Sequence, residues 1–201
     1  MAKEKFLFSV VIPVYNVEEY LRETIESVLA QDIGFQQNIQ MILVNDGSPD
    51  NSEKICLEYQ KLYPDNIIYV KQDNAGVSAA RNHGMEYVEG KYVNFLDSDD
   101  KWSADAFSEV YRFFEEHQEE INLVSCKQQF FEAADGLHPL SKGKFTTDRV
   151  IDILDEYDKI QFHITATILK ASAMRIATFC EDMHYGEDAR YVTELILDKC
   201  K

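Results

Sequence analysis

The sequence predicts an α/β fold in which helices cover both faces of a mostly parallel β-sheet. Runs of β-branched and aromatic residues alternate, over about the first 125 residues, with segments whose apolar residues recur at helical spacing. Polar clusters follow several of these runs directly, as expected where parallel strands end at a shared crevice. This alternation is typical of right-handed βαβ units, which build a parallel sheet.

Four strands are predicted in the first half of the chain, each from an apolar run bounded by polar residues. They cover residues 6–14, 39–44, 67–70 and 92–96. Pro13 should end the hydrogen-bonded ladder of the first strand, because proline has no N–H. Two later segments, 121–131 and 162–169, are also predicted to be extended.

Helices are predicted between and after these strands. Asn16 is a candidate cap for the first helix, because Glu19 stands three residues later as in a capping box. Ser48 before Pro49 predicts the start of the next, since proline at the first helical position loses no needed N–H. The remaining predicted helices cover 78–88, a segment beginning at 103, 150–154 and 187–200.

The composition has a strong acidic excess. Thirty-six Asp and Glu against 20 Lys and Arg give a formal net charge of −16. This charge disfavours binding to nucleic acid, and an anionic small molecule would need a helix N-terminus, an arginine or a metal to bind. The four cysteines form no close pair in sequence, which disfavours a zinc site or a disulfide framework and predicts a cytoplasmic location.

Three acids, Asp97, Asp99 and Asp100, directly follow the fourth predicted strand. Carboxylates this close repel one another, and a cation would relieve the repulsion. Oxygen ligands of this kind suit Mg²⁺ or Mn²⁺, which bind through one or two carboxylates while substrate phosphates supply further ligands. The alternative interpretation is an acidic turn that precedes a helix.

Several common catalytic motifs are absent from the sequence. No G-x-G-x-x-G follows the first strand, and neither a P-loop nor a G-x-S-x-G elbow is present. These absences disfavour a classical dinucleotide-binding domain, a P-loop nucleotidase and an esterase.

Four segments together resemble the inverting nucleotide-sugar glycosyltransferases of family 2, which have the Rossmann-like GT-A fold. The segments are 10–16, 44–50, 74–82 and 97–100, and they occur in the family's order. A fifth, Gly186-Glu187-Asp188, resembles the family's Glu-Asp motif. The resemblance covers residues 6–105 closely and residues 106–178 only loosely.

The resemblance implies a binding site for a UDP-sugar donor. Its donor-binding positions are Pro13, Val14, Tyr15, Asp46, Asn74, Gly76, Arg81, Asp97 and Ser98. Asp46 would accept the N3–H of uracil, and Arg81 would contact a phosphate or the base edge. Asp99 matches the acid of the D-x-D motif that ligates Mn²⁺ or Mg²⁺ on the diphosphate. The structural alternatives are a simple turn residue for Asp46, and for Arg81 an ion pair with Asp73 or Glu86 on the surface.

The resemblance also implies the reaction and its base. Asp188 matches the residue that takes the proton from an acceptor hydroxyl, so that the hydroxyl displaces the diphosphate from the sugar with inversion. The alternative is that Glu187 and Asp188 only favour a helix N-terminus.

The whole chain, 1–201, is expected to form a single GT-A domain. Residues 1–105 would be the donor half, and 106–201 an acceptor half that is either compact or truncated at its C-terminus, because family members commonly continue with helices that bind acceptor or membrane. We therefore expect a saccharide or lipid-linked acceptor, a role in surface polysaccharide or glycoconjugate assembly, and peripheral association with the inner face of the membrane. A non-catalytic nucleotide-sugar binding domain stays open. A nucleotidyltransferase is less favoured, because residues 13–24 lack a Gly- and Lys/Arg-rich loop.

Overall fold

The computed structural model describes residues 4–127, 147–151, 156, 163–183 and 185–199. The strands of the described residues are β1 (Phe6–Val14), β2 (Ile39–Asp46), β3 (Ile67–Gln72), β4 (Gly90–Phe95), β5 (Leu123–Ser125) and β6 (Thr167–Lys170). They form one sheet in the order β3-β2-β1-β4-β6-β5. β3, β2, β1 and β4 are parallel, while β6 is antiparallel to both β4 and β5. The predicted fold class is therefore confirmed.

Helices cover both faces of this sheet. They are α1 (Leu21–Leu29), α2 (Phe35–Asn38), α3 (Ser52–Leu62), α4 (Val77–Met85), α5 (Ala106–Glu116), α6 (Ala171–Met174) and α7 (Glu187–Lys199). Alternate residues of β1 face opposite sides, as the period of two requires. Phe8, Val10 and Ile12 pack with α1, α2, α3 and α5, whereas Val11 packs with α4, α6 and α7.

Three local predictions differ from the structure. The helix expected from Asn16 begins at Leu21, because Asn16 adopts a left-handed turn with φ 55° and is not a cap. Pro13 does not end the pairing with β2, in which it stands opposite Val44. The helix expected after Ser48 begins at Ser52.

The later elements are shorter than the sequence predicted. Within the segment predicted to be extended at 121–131, the structure forms only the short β5 among the described residues. Residues 128–131 of that segment lie outside the described part of the chain. The segment predicted at 162–169 overlaps β6, which begins at Thr167, and its residue 162 lies outside the described part of the chain. Most of the helix predicted at 150–154 also lies outside the described residues. In the described part of the chain, no helix is both long enough and apolar enough to cross a membrane.

Candidate active site

The carboxyl ends of β1, β2 and β4 bring the predicted polar clusters to one edge of the sheet. The pairing of β1 with β4 reaches Val11 opposite Phe95, so Pro13 and Val14 extend past the β4 ladder. The side chains of Pro13 and Val14 are buried, and these residues can offer a ligand only backbone groups. Tyr15 follows them and is 50% exposed, so its ring is available at this edge.

Side-chain hydrogen bonds fasten the loop after β1 to the loop after β2. The Ser48 hydroxyl donates to the carbonyl of Val14 at 3.1 Å, and Asp50 Oδ2 accepts from the backbone nitrogen of Glu18 at 2.9 Å. Burial acts to raise the pKa of Asp50, but hydrogen bonds from the Ser52 side chain and from the backbone nitrogens of Glu18 and Ser52 hold it below its ordinary value. The two loops therefore form one rim of the site.

Asp46 is buried at the end of β2, where its carboxylate holds the next loop in place. Oδ1 accepts from Gln72 Nε2 and from the backbone nitrogen of Ala75, both at 2.8 Å. Oδ2 accepts from the backbone nitrogen of Gly76 at 2.9 Å. A carboxylate has about four acceptor positions, so these three bonds leave about one, on Oδ2. Asp46 thus fixes the backbone that leads into α4.

Asn74 and Gly47 explain why this loop lies close to the end of β2. Asn74 Nδ2 donates to the backbone carbonyl of Asp46 at 3.0 Å. Gly47 has φ 68°, and a Cβ there would lie 3.0 Å from the backbone nitrogen of Asn74. Glycine satisfies both the left-handed backbone and the close approach. Gly76, with φ 92°, ends the loop directly before α4.

Arg81 lies on α4 and is buried, with 3% of its side chain exposed. Its Nη2 lies 2.7 Å from Asp97 Oδ1, and its Nη1 lies 3.0 Å from Glu187 Oε1. The alternative in which Arg81 is a surface residue paired with Asp73 or Glu86 is therefore wrong. The structure instead places the guanidinium between Asp97, just after β4, and Glu187, at the start of α7.

The acidic segment after β4 is crowded and only partly exposed to solvent. Asp97 has 38% of its side chain exposed, Asp99 is exposed, and Ser98 is buried with its carbonyl accepting from Thr24 Oγ1 at 2.8 Å. The pKa of Asp100 is raised above its ordinary value, first by burial and then by the negative charges of Asp97 and Asp99. The repulsion expected from the sequence therefore exists in the fold.

These acids fit a cation that is shared with a ligand. Among the described residues, no three His, Cys, Asp or Glu side chains are arranged to hold a metal by themselves. Mg²⁺ and Mn²⁺ need no such cage where phosphates and water complete the shell. The exposed Asp99 can supply one oxygen, and the raised pKa of Asp100 marks a cost that a nearby positive charge would reduce.

Asp188 is the second residue of α7 and is partly buried. Its Oδ1 accepts from the backbone nitrogen of Ala189 at 2.7 Å. Gly186, with φ 76°, precedes the helix, and its carbonyl accepts from the backbone nitrogen of Arg190 at 3.0 Å. The sequence assigned the base to Asp188 and treated Glu187 only as an acid that favours a helix N-terminus. In the fold, Glu187 pairs with Arg81, which stands 106 positions earlier.

Comparisons with known proteins agree on one family. The model of Glycosyl transferase family 2 matches residues 9–163. The minor teichoic acid biosynthesis protein GgaB of Bacillus subtilis is 48% identical over 194 residues, which are 96% of this chain and 21% of GgaB. GgaA, another minor teichoic acid biosynthesis protein of that organism, is 41% identical over 194 residues, which are 95% of this chain and 43% of GgaA. The chain thus spans less than half the length of either relative.

Solved structures share the fold at lower identity. TarS 1–349 of S. aureus, crystallised in complex with UDP-GlcNAc, superposes with a TM-score of 0.82 at 23% identity over 96% of this chain and 54% of that one. The mannosyltransferase PcManGT of Pyrobaculum calidifontis, in complex with GDP-Man and Mn²⁺, gives a TM-score of 0.68 at 17% identity over 94% of this chain and 51% of that one.

Proposed function

The chain belongs to glycosyl transferase family 2, and on that premise we propose that it moves a sugar from a UDP-sugar to an acceptor hydroxyl. The observation that carries the proposal is the convergence, at one sheet edge, of the Asp46-bound loop, the buried Arg81 and the acids that follow β4. The UDP and UDP-GlcNAc complexes of TarS support uracil as the base of the donor nucleotide.

The charges at this edge support a requirement for a cation. Arg81 joins two acidic segments that together carry five carboxyl groups, a formal excess of four negative charges over its guanidinium. These groups belong to Asp97, Asp99, Asp100, Glu187 and Asp188. A diphosphate would add further negative charge to the same place. We propose that Asp99 holds Mg²⁺ or Mn²⁺ there, where the ion would offset the charge of the diphosphate.

The chain's own residues account for the chemical step as follows. Asp188 takes the proton of the acceptor hydroxyl, whose oxygen bonds to the sugar C1 on the face opposite the diphosphate. The bond between C1 and the diphosphate oxygen breaks, and UDP leaves with that electron pair. Displacement of this kind turns an α-linked donor into a β-linked product. A positioned base contributes about 10²–10⁴-fold to the rate of such a step.

The names of the relatives support a role in assembling a surface polysaccharide, such as a teichoic acid. We propose a saccharide or lipid-linked acceptor, a cytoplasmic location at the inner face of the membrane, and a donor half formed by residues 1–105. Acceptor choice would then depend on residues 106–201.

Calorimetric titration of UDP tests the donor site. Wild type should bind with a dissociation constant of about 1 mM or tighter in Mn²⁺, and Asp99→Ala should lose the metal-dependent part of the affinity. Asp65→Ala is the matched control, because Asp65 is exposed and precedes β3 at the opposite end of the sheet. Folded protein that does not bind UDP with or without metal would contradict the uridine assignment.

Turnover of UDP-sugars, beginning with UDP-GlcNAc, tests the enzyme. Asp188→Asn should lower the rate at least 100-fold while leaving UDP affinity within a few-fold of wild type. Glu194→Gln, a neutralised acid on the same helix, should keep the wild-type rate. UDP binding by a wild type that never turns over donor, with acceptors of several classes supplied, would favour the non-catalytic binding domain instead.

A further inference from the structure

Two ion pairs of the buried Arg81 join the helix that carries Asp188 to Asp97, just after β4. Arg81 contacts Asp97 through Nη2 and Glu187 through Nη1, so both bonds form at the same time. Glu187 has 15% of its side chain exposed and Arg81 3%.

Aromatic rings pack beside the Arg81 guanidinium and between α7 and β4. The guanidinium carbon of Arg81 lies 5.2 Å from the centre of the Phe179 ring. Phe179 stacks on Tyr191 of α7 with centroids 4.1 Å apart, and Phe95 of β4 meets both rings edge-on. These contacts fix the body of α7 against β4, but Tyr191 lies one turn after Asp188.

The turn that leads into α7 contributes little packing of its own. Tyr185 is 91% exposed, and a methyl group placed on Gly186 would meet no described atom within 4 Å. Glycine with a positive φ also allows a wide range of backbone conformations. Among the described residues, the side-chain contact that ties Glu187, the first residue of α7, to the rest of the site is its ion pair with Arg81.

We propose that Glu187 is a positioning residue, which acts through Arg81 to hold the first turn of α7 so that Asp188 faces the donor held near Asp97. This inference rests on the proposed function, in which Asp188 is the base. Because Asp188 directly follows Glu187 in the helix, release of Glu187 would change the direction of the Asp188 carboxylate without removing it. Small displacements of this kind lower a catalytic rate more than they lower donor affinity.

Two substitutions separate the contact from the charge. Glu187→Ala removes both, whereas Glu187→Asp keeps the charge but is one methylene too short to keep the 3.0 Å contact. Glu194→Ala and Glu194→Asp are the matched controls, because Glu194 lies on the same helix and pairs with Arg190 at the exposed surface. Each variant is compared with wild type for kcat, for the KM of the UDP-sugar, for UDP affinity, and for amide hydrogen exchange over residues 186–192.

Both Glu187 variants should lower kcat 10- to 100-fold, leave KM and UDP affinity within threefold, and exchange at least tenfold faster over residues 186–192. The Glu194 variants should match wild type. Wild-type kcat and exchange in Glu187→Asp would overturn the contact-based role, and so would a loss of UDP affinity as large as the loss of kcat.

If wild type binds UDP but never turns over, the proposed function fails. Hydrogen exchange then still decides the link, because unchanged exchange in Glu187→Ala would overturn it.

Discussion

Asp46→Asn would separate two roles of one carboxylate, contact with the nucleotide and support of the loop beside it. In the folded chain Asp46 accepts hydrogen bonds from Gln72, Ala75 and Gly76. Asparagine has the same shape but presents one oxygen and one NH₂ group. If its oxygen takes the place of Oδ1, the bonds from Gln72 and Ala75 persist, and the NH₂ group faces the N–H of Gly76.

The broken contact with Gly76 sets the smallest expected loss, to which a lost contact with the uracil N3–H would add. A hydrogen bond to a charged group is worth about 1.5–3 kcal/mol, and each 1.4 kcal/mol corresponds to a tenfold change in an equilibrium constant. If the loop before α4 must be ordered for a nucleotide to bind, Asp46→Asn should weaken UDP binding by about 10- to 150-fold. Asp65→Asn, at the opposite end of the sheet, should leave the affinity unchanged.

A UDP methylated at N3 of uracil separates direct contact from loop support. Asp46 Oδ2 accepts one bond and keeps a further acceptor position, so we expect it to contact the N3–H. Methylation should then weaken binding to wild type and have a smaller effect on Asp46→Asn. Equal effects of methylation on both proteins would leave Asp46 with loop support alone. An Asp46→Asn variant that binds UDP as tightly as wild type would refute both roles.

Three further predictions concern the acids after β4 and the packing of α4. Asp100→Asn should raise the urea midpoint at pH 7, because burial and the charges of its neighbours raise the pKa of Asp100 and so make its ionised form destabilising. The gain should vanish as the pH falls through the ordinary aspartate pKa of about 3.9. A gain that stays constant with pH would contradict this cause. Gly84→Ala should lower the urea midpoint, because the new Cβ would lie 2.4 Å from Val11 Cγ1. Over-packing costs about 1–3 kcal/mol, which exceeds the gain of about 0.5–1 kcal/mol from replacing glycine in a helix. An unchanged midpoint would show that the Val11 side chain moves to make room. In the presence of UDP, Mn²⁺ should raise the melting temperature of wild type but not that of Asp99→Ala. An equal rise in both proteins would show that Asp99 does not bind the cation.

Local patterns predicted the sheet well and the turns poorly. The β-branched runs placed the first four strands to within about two residues at each end. These strands are buried, and a buried strand is visible in the local sequence as a run of apolar residues. Asn16 matched a capping box, yet it adopts a left-handed turn, and the loop it starts is held by Ser48 and Asp50. Those partners lie more than 30 positions away, beyond the reach of any local pattern.

The role of Arg81 shows the same limit at the site and has a consequence for the donor. Its sequence neighbours Asp73 and Glu86 were candidate partners, but the fold supplies Asp97 and Glu187, the latter 106 positions away. Both terminal nitrogens of the guanidinium therefore bind the protein's own carboxylates. Two carboxylates already offset the charge of this arginine in a chain of net charge −16, so a diphosphate bound there would need a further positive group. We therefore expect UDP binding to depend steeply on the concentration of Mn²⁺ or Mg²⁺.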